Sequence, residues 1–210
     1  HLIELPHDDD RLSFDTYGYR SWWNLPALPK LNVGNPDVRR FLLETARYWI
    51  EFGTDGWRLD VPGEIDDDDF WRIFRRTVKE TSSEAYILGE IWFDAVRWLK
   101  GDQFDGVMNY PFCRAVTGFA GNRFLRRDLL EQCDGLRCIN SLNAGEFAAE
   151  LERLLHIYTP EVAHCQLNLL DSHDTARFIS SVNGNRKCLE LAVMCLMTYP
   201  GAPCIYYGDE

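Results

Sequence analysis

An alternation of two hydrophobic periods constrains this chain more than any other feature. Short apolar runs at 56–61, 86–91, 104–108, 165–170 and 203–207 read as strands. Between them, apolar residues recur at helical spacing. Val38, Phe41, Leu42, Thr45, Trp49 and Phe52 form one stripe, opened by Asn35-Pro36 and stopped by Gly53. Phe70, Ile73, Phe74, Thr77 and Val78 form another, and Leu189, Ala192, Val193, Leu196 and Met197 a third within a helix at 185–198. A short helix is expected around 94–100, and two more before residue 165, with the patterning weakest across 123–141. Strands that alternate with helices need β-α crossovers, which build a parallel sheet covered by helices. The chain is therefore expected to be α/β. A closed (β/α)8 barrel is preferred to an open doubly wound sheet, because no Gly-rich phosphate loop follows any strand. Residues 1–32 are polar, aromatic and irregular, as in a long loop or the tail of an inserted subdomain.

Charged residues stand where three of the strands run out. Gly56-Trp57-Arg58-Leu59-Asp60 ends in a guanidinium and a carboxylate, Gly89-Glu90 ends the second run, and Ser172-His173-Asp174 follows the fourth. Sheets of this class carry their chemistry at such positions. Along a strand, alternate side chains share a face, so Trp57 and Leu59 point one way and Arg58 and Asp60 the other, the latter pair roughly 7 Å apart. A guanidinium there is expected to hold Asp60 ionised, as a carboxylate nucleophile needs. Gly89 would let a substrate or backbone approach. The apolar neighbours Leu88, Ile91 and Trp92 would desolvate Glu90 and raise its pKa, making it a proton donor. Two carboxyls pushed apart in pKa are the equipment of a glycosidase. Plainer readings compete. Arg58 and Asp60 could be a structural ion pair, Glu90 could sit at the start of the next helix, Asp174 could be an N-cap, and His173 a core histidine. The acidic run at 66–69 reads better as helix-start capping than as a metal site.

Composition narrows the class. The 210 residues carry a formal net charge of −11 with no Lys/Arg cluster, which disfavours nucleic-acid binding. No apolar run approaches the ~18 residues of a membrane helix. Seven cysteines match no zinc spacing and fit buried, reduced thiols in the cytoplasm. The chain starts at His1-Leu2-Ile3 and stops straight after a strand-like run, so it reads as a piece of a longer protein.

Five motifs in order resemble the α-amylase family of glycoside hydrolases: L-P-K-L-N at 28–32, G-W-R-L-D at 56–60, L-G-E-I-W at 88–92, D-S-H-D-T at 171–175 and G-A-P-C-I-Y-Y-G-D-E at 201–210. The first is similar to the neopullulanase, cyclomaltodextrinase and maltogenic amylase branch. The resemblance implies strands four to eight of the catalytic barrel in 33–210 and the tail of an inserted domain in 1–32. Strands one to three would precede residue 1, and a C-terminal β-domain would follow residue 210. It implies Asp60 as nucleophile, Glu90 as general acid/base, Asp174 as transition-state stabiliser, and Arg58, His173, Glu64 and Trp92 as substrate-binding residues. Val61-Pro62-Gly63-Glu64 departs from the V-A-N-E common in this branch, and Phe93 from His, so bond preference is not carried over. The implied partner is an α-glucan, with a homodimer in the whole protein, no nucleic acid, no membrane and no evident cofactor or metal site, calcium being left open. An oligo-1,6-glucosidase or a sucrose- or trehalose-converting relative is the enzyme alternative. A non-catalytic barrel scaffold or transporter partner is the alternative of another class, against which all three acids stand. A metal-dependent barrel hydrolase would need several inward histidines.

Overall fold

The structure is a computed structural model that describes residues 11–210. The first ten residues, the start of the 1–32 segment, lie outside the described residues. Its sheet is all parallel. Strand β1 (Gly56–Leu59) pairs with β2 (Tyr86–Gly89), β2 with β3 (Gly106–Val107), and β4 (Leu167–Asn168) with β5 (Ala202–Pro203). One parallel bridge, Met108 to Leu167, joins the two groups, so all five strands run in chain order. The expected strands are present but short. Chain 165–166 and 204–207 lies outside the ladders, and β1 stops at Leu59 because Val61 turns to a φ of 37°.

Local chemistry sets the helix ends. In α2 (Pro36–Phe52) the Asn35 side chain accepts the N–H groups of Asp37 and Val38, Pro36 opens the first turn, and Gly53 closes it in the left-handed region. Asp67 caps α3 (Asp68–Thr81) through the Phe70 N–H at 2.9 Å. The other members of that acidic run form ion pairs, Arg97 holding both Asp66 and Asp68. A capping box of Asn143 and Glu146 starts α6 (Ala144–His156), and Asn185 caps α9 (Arg186–Thr198).

Five expectations need correction. Residues 94–100 form turns, not a helix. The 1–32 segment contains a short helix, α1 (Arg11–Tyr17), and a 3-10 turn at Trp22–Asn24. Chain between the third and fourth strands is divided into α4 (Tyr110–Val116), a π-turn at Thr117–Gly121, the one-turn α5 (Arg127–Leu130), α6 and α7 (Pro160–His164). The buried face of α2 is Ala46 and Ile50, flanked by Leu42 and Leu43. Phe41, Trp49 and Phe52 stand exposed and Trp49 and Phe52 pack with Tyr48, so the aromatic stripe is left open among the described residues. Of the thiols, only Cys113 and Cys188 are fully buried.

The pleat divides the core into layers. Trp57, Leu59, Ile87 and Val107 face α2 and α3 and pack with Ala46, Phe70, Trp71 and Phe74. Their neighbours Leu88 and Met108 point to the other face, with Leu169 and Tyr110. Arg58 pairs with Leu88 in register, so it belongs to that inner layer, as the alternation predicts. A third cluster joins α4, α6 and α9 beneath Leu170 and Phe178, the first residue of α8 (Phe178–Ser181).

Asp105 ties α3 to the sheet. Its carboxylate accepts from Arg75 at 2.7 Å, Lys79 at 2.8 Å and the Ile87 N–H at 2.9 Å. Burial pushes this carboxyl up, but the two cations and the amide outweigh it and hold it below the ordinary carboxylate value. A depressed folded pKa contributes stability above the unfolded value, and that contribution is lost as pH falls through the folded one. Asp105→Asn in the full-length protein is expected to cost about 1–3 kcal/mol at pH 7. Thermal unfolding from pH 7 to pH 3 checks this, with the gap to the unsubstituted protein closing on the acid side.

Candidate active site

The parallel register sets the two central carboxyls side by side. Leu59 pairs with Gly89, so Asp60 and Glu90 are the next residues on adjacent strands. Arg58 bridges them. Its Nη1 donates to Asp60 Oδ1, and its Nη2 lies 2.8 Å from Glu90 Oε1. The other Glu90 oxygen accepts the Val61 N–H at 3.1 Å. Val61 donates from the left-handed region, an outlier for a β-branched residue that costs about 1–3 kcal/mol. The turn that breaks the strand thus aims an amide at Glu90.

The environments of the two acids differ sharply. The Glu90 side chain is 2% exposed and that of Asp60 58%. Burial raises the Glu90 pKa. The Val61 amide and Arg58 pull against it, while Asp60 and Asp174 push with it, and the net direction is upward. The desolvation argument therefore holds for Glu90. Arg58, read from the sequence as the partner of Asp60 alone, serves both acids. Glu90 is buried and followed by turns, so it is not a residue starting a helix. Gly89 serves packing rather than substrate approach, since a Cβ there would come within 2.7 Å of the Phe104 ring.

The fourth strand brings the third acid. Asp174 is charge-coupled to Glu90. Its N–H donates to Ser172 Oγ at 3.3 Å, and the Ser172 N–H donates to Thr175 Oγ1 at 2.8 Å. The N-cap reading fails for Asp174, because α8 begins only at Phe178, whose N–H donates to Asp171 at 2.6 Å. His173 is more than half exposed, not a core histidine, and its Nε2 lies 3.2 Å from Asp174 Oδ2.

Trp92 and Glu64 stand differently from the rest. Trp92 stacks on Tyr110 with ring centroids 3.5 Å apart, and Gly135 packs against its six-membered ring, so little of the indole is left to face a ligand. Glu64 is paired with Lys30 at 2.8 Å. It lines a cavity of about 940 Å³ with Tyr19, Trp22, Leu31 and Asp67, and Asp60, Glu90 and Asp174 are not among the lining residues. Three residues around the site do not stand out from the sequence. Tyr110, two residues past the end of the third expected strand, bonds Ser172 through its hydroxyl at 3.1 Å. Asp171 lies within the D-S-H-D-T motif and Asp209 within G-D-E, yet neither is conspicuous beside Asp174. Among the described residues no group of three or more His, Cys, Asp or Glu is arranged to hold a metal ion.

Residues 15–210 match the model of the alpha amylase catalytic domain. A cyclomaltodextrinase from Geobacillus thermopakistaniensis (strain MAS1) is 44% identical over 212 residues, covering 100% of this chain and 32% of that protein. Neopullulanase 2 from Thermoactinomyces vulgaris is 45% identical over 200 residues, covering 95% of this chain and 30% of its own length. The crystal structure of Ttha1563 from Thermus thermophilus superposes with a TM-score of 0.89 at 53% identity, covering 91% of this chain and 40% of that one. The chain spans about a third of the length of the curated relatives it matches. With the family model running across nearly all of the chain, and the parallel α/β architecture shared with a solved relative, the chain belongs to the alpha-amylase family.

Proposed function

We propose that this chain carries the catalytic centre of a retaining hydrolase of α-glucosidic bonds, of the neopullulanase or cyclomaltodextrinase type. One observation carries the reading: two carboxyls at the ends of adjacent parallel strands, one exposed and one buried, share a single guanidinium. Adjacent parallel strands lie ~4.8 Å apart, near the ~5–5.5 Å carboxyl separation of retaining glycosidases and short of the ~6.5–9.5 Å that leaves room for a water in inverting ones. Asp60 attacks the anomeric carbon, and the glycosidic oxygen leaves with the proton of Glu90. Water, deprotonated by Glu90, then opens the sugar ester. Arg58 orients both acids. Asp174 and His173, both half-exposed, hold the sugar ring, and Glu64 contacts the sugar beyond the cleaved bond, with Trp92 forming a wall behind it.

The five strands serve as strands four to eight of a (β/α)8 barrel, with 33–210 in the barrel and 1–32 the tail of an inserted domain. In support, β1 has no partner on its outer edge among the described residues, and the aromatic face of α2 stands exposed beside it. The substrate class is maltooligosaccharides, cyclodextrins, pullulan or starch. No cofactor is assigned. Unpaired cysteines suit a reducing cytoplasm, no helix among the described residues is long and apolar enough to cross a membrane, and the whole protein is proposed to be a homodimer.

Three outcomes test the roles in the full-length protein. Asp60→Asn lowers turnover by about a thousandfold or more. NMR of the first product from an α-linked glucan shows the α-anomer, and initial release of the β-anomer would remove Asp60 from its role. Glu90→Gln slows maltooligosaccharides by about a hundredfold or more but glucosyl fluorides far less, since fluoride leaves without a proton. Equal losses on both substrates would rule out the acid role. Arg58→Met removes a cation that favours ionised Glu90. Its alkaline limb of kcat/KM therefore moves to higher pH, on top of a large fall in rate, and a limb moving to lower pH would contradict the shared-cation geometry.

A further inference from the structure

Outside the catalytic trio, the molecule buries a second pair of carboxyls. The Asp171 and Asp209 carboxyls face each other closely enough for each to act on the charge of the other. The Asp171 side chain is 1% exposed and accepts the Phe178 N–H at 2.6 Å and Arg177 Nη1 at 3.1 Å. These two bonds close the loop that carries His173 and Asp174, joining its first residue to the start of α8. Asp209 is 5% exposed, and no N–H or O–H among the described residues reaches either of its side-chain oxygens. Its neighbour is the Asp171 carboxyl, and two carboxyls can hydrogen-bond only when one carries a proton. Arg177 completes the group. Its guanidinium lies over the rings of Tyr206 and Tyr207, at 4.8 Å and 4.5 Å. Gly208, at a φ of 88°, leaves room for it, since a Cβ there would collide with Nη2. The segment after β5 is thereby docked against the loop after β4.

We propose that Asp171, Arg177 and Asp209 are positioning residues. They form a clasp, closed by one proton shared between the two carboxyls, that fixes the Asp174 loop and loosens when that proton leaves. Asp174 touches substrate and the clasp does not. The inference rests on the role proposed for Asp174, but its stability arm does not.

The direction of the pH dependence follows from burial. Burial raises Asp209, the facing Asp171 adds to it, and the group is pushed up to about 7. Arg177 pulls the other way and Glu210 adds to the rise. Cys204, Tyr206 and Cys113 also feel Asp171. A carboxyl raised on folding contributes stability that is fully present below its unfolded value and lost as pH rises through the folded one. The clasp is therefore closed in mild acid and opens across neutrality.

Asp209→Asn replaces the shared proton with a permanent N–H donor, and Asp209→Ala removes the donor. In the full-length protein, the Tm of the unsubstituted form is expected to fall relative to Asp209→Asn as pH rises from 5 to 8.5 through about 7. At pH 6, Asp209→Ala loses about tenfold or more in kcat with little change in KM, as expected of a displaced transition-state contact. Asp209→Asn recovers most of that loss and exceeds the unsubstituted enzyme above neutrality. Parallel Tm profiles for the Asn variant and the parent, or equal kcat for Asp209→Ala and the parent at both pH values, would overturn the clasp. Should Asp209→Ala fail to fold, the Asn comparison still decides. Asp174→Asn with unchanged turnover would instead count against the reading of the site.

Discussion

Arg58 is the group on which the site depends, because two ionised carboxylates on neighbouring strand ends repel each other unless a cation lies between them. Two negative charges ~5 Å apart at an effective dielectric of ~20 repel by about 3 kcal/mol. Arg58 contacts both carboxyls and offsets that repulsion. Full neutralisation of both acids would abolish the difference between them, and burial restores it. Glu90 lies in the layer of Leu88 and Met108, where solvent cannot support its charge, whereas Asp60 faces water. One cation and one gradient of exposure thus set the two acids in different surroundings, and burial raises the pKa of Glu90. The same logic underlies the clasp proposed for Asp171 and Asp209, where both members are buried and a shared proton takes the part that Arg58 plays here.

The sheet supplies the precision this arrangement needs. A one-residue slip of β1 against β2 would turn Arg58 toward α3 and separate Asp60 from Glu90. Several contacts oppose that slip. The Phe104 ring fills the space over Gly89, Asp105 clamps the start of β2 to α3, and the Glu90 N–H donates to Leu59 O at 3.0 Å. The last of these keeps the ladder going one residue beyond the strand, to Glu90 itself.

Much of this is legible in the sequence, and what escapes it has a physical pattern. Asn35-Pro36 and Gly53 bound α2 correctly, because capping is decided by one or two side chains and their own backbone. The alternation in Gly56-Trp57-Arg58-Leu59 assigns the faces of β1 for the same reason. The side of α2 that meets the sheet is carried by Ala46 and Ile50, while the more hydrophobic Phe41, Trp49 and Phe52 form a stripe that the described residues leave open. Periodicity finds a stripe without saying which neighbour covers it. The sequence pairs Arg58 with the acid two residues away, since its bond to Glu90 spans a separation only the sheet closes. Asp171 and Asp209 are invisible as a pair for that reason too. Residues 94–100 have helical composition, yet Asp94 and Arg97 are drawn to partners on other elements, Arg153 for the first and Asp66 and Asp68 for the second.

The roles proposed for Asp60 and Asp174 require strand ends that do not move independently, and side chains beside the third strand couple them. Trp92, two residues past Glu90, stacks on Tyr110. Tyr110 follows β3 at the start of α4 and shares a hydrogen bond with Ser172, which in turn accepts the Asp174 N–H. Either hydroxyl can donate in the first of these bonds, so the chain adapts to the proton demands of its neighbours without breaking. Arg114 donates to the Trp92 carbonyl at 2.7 Å and fixes the near end. Glu90 and Asp174 are therefore linked through a stacked ring pair and two hydroxyls, most of it buried. Preorganisation of this kind lets solvent-facing carboxylates hold a geometry at little entropic cost during the reaction. It also explains why Trp92 presents so little free surface. Its ring is committed to the stack on Tyr110 and to the packing of Gly135.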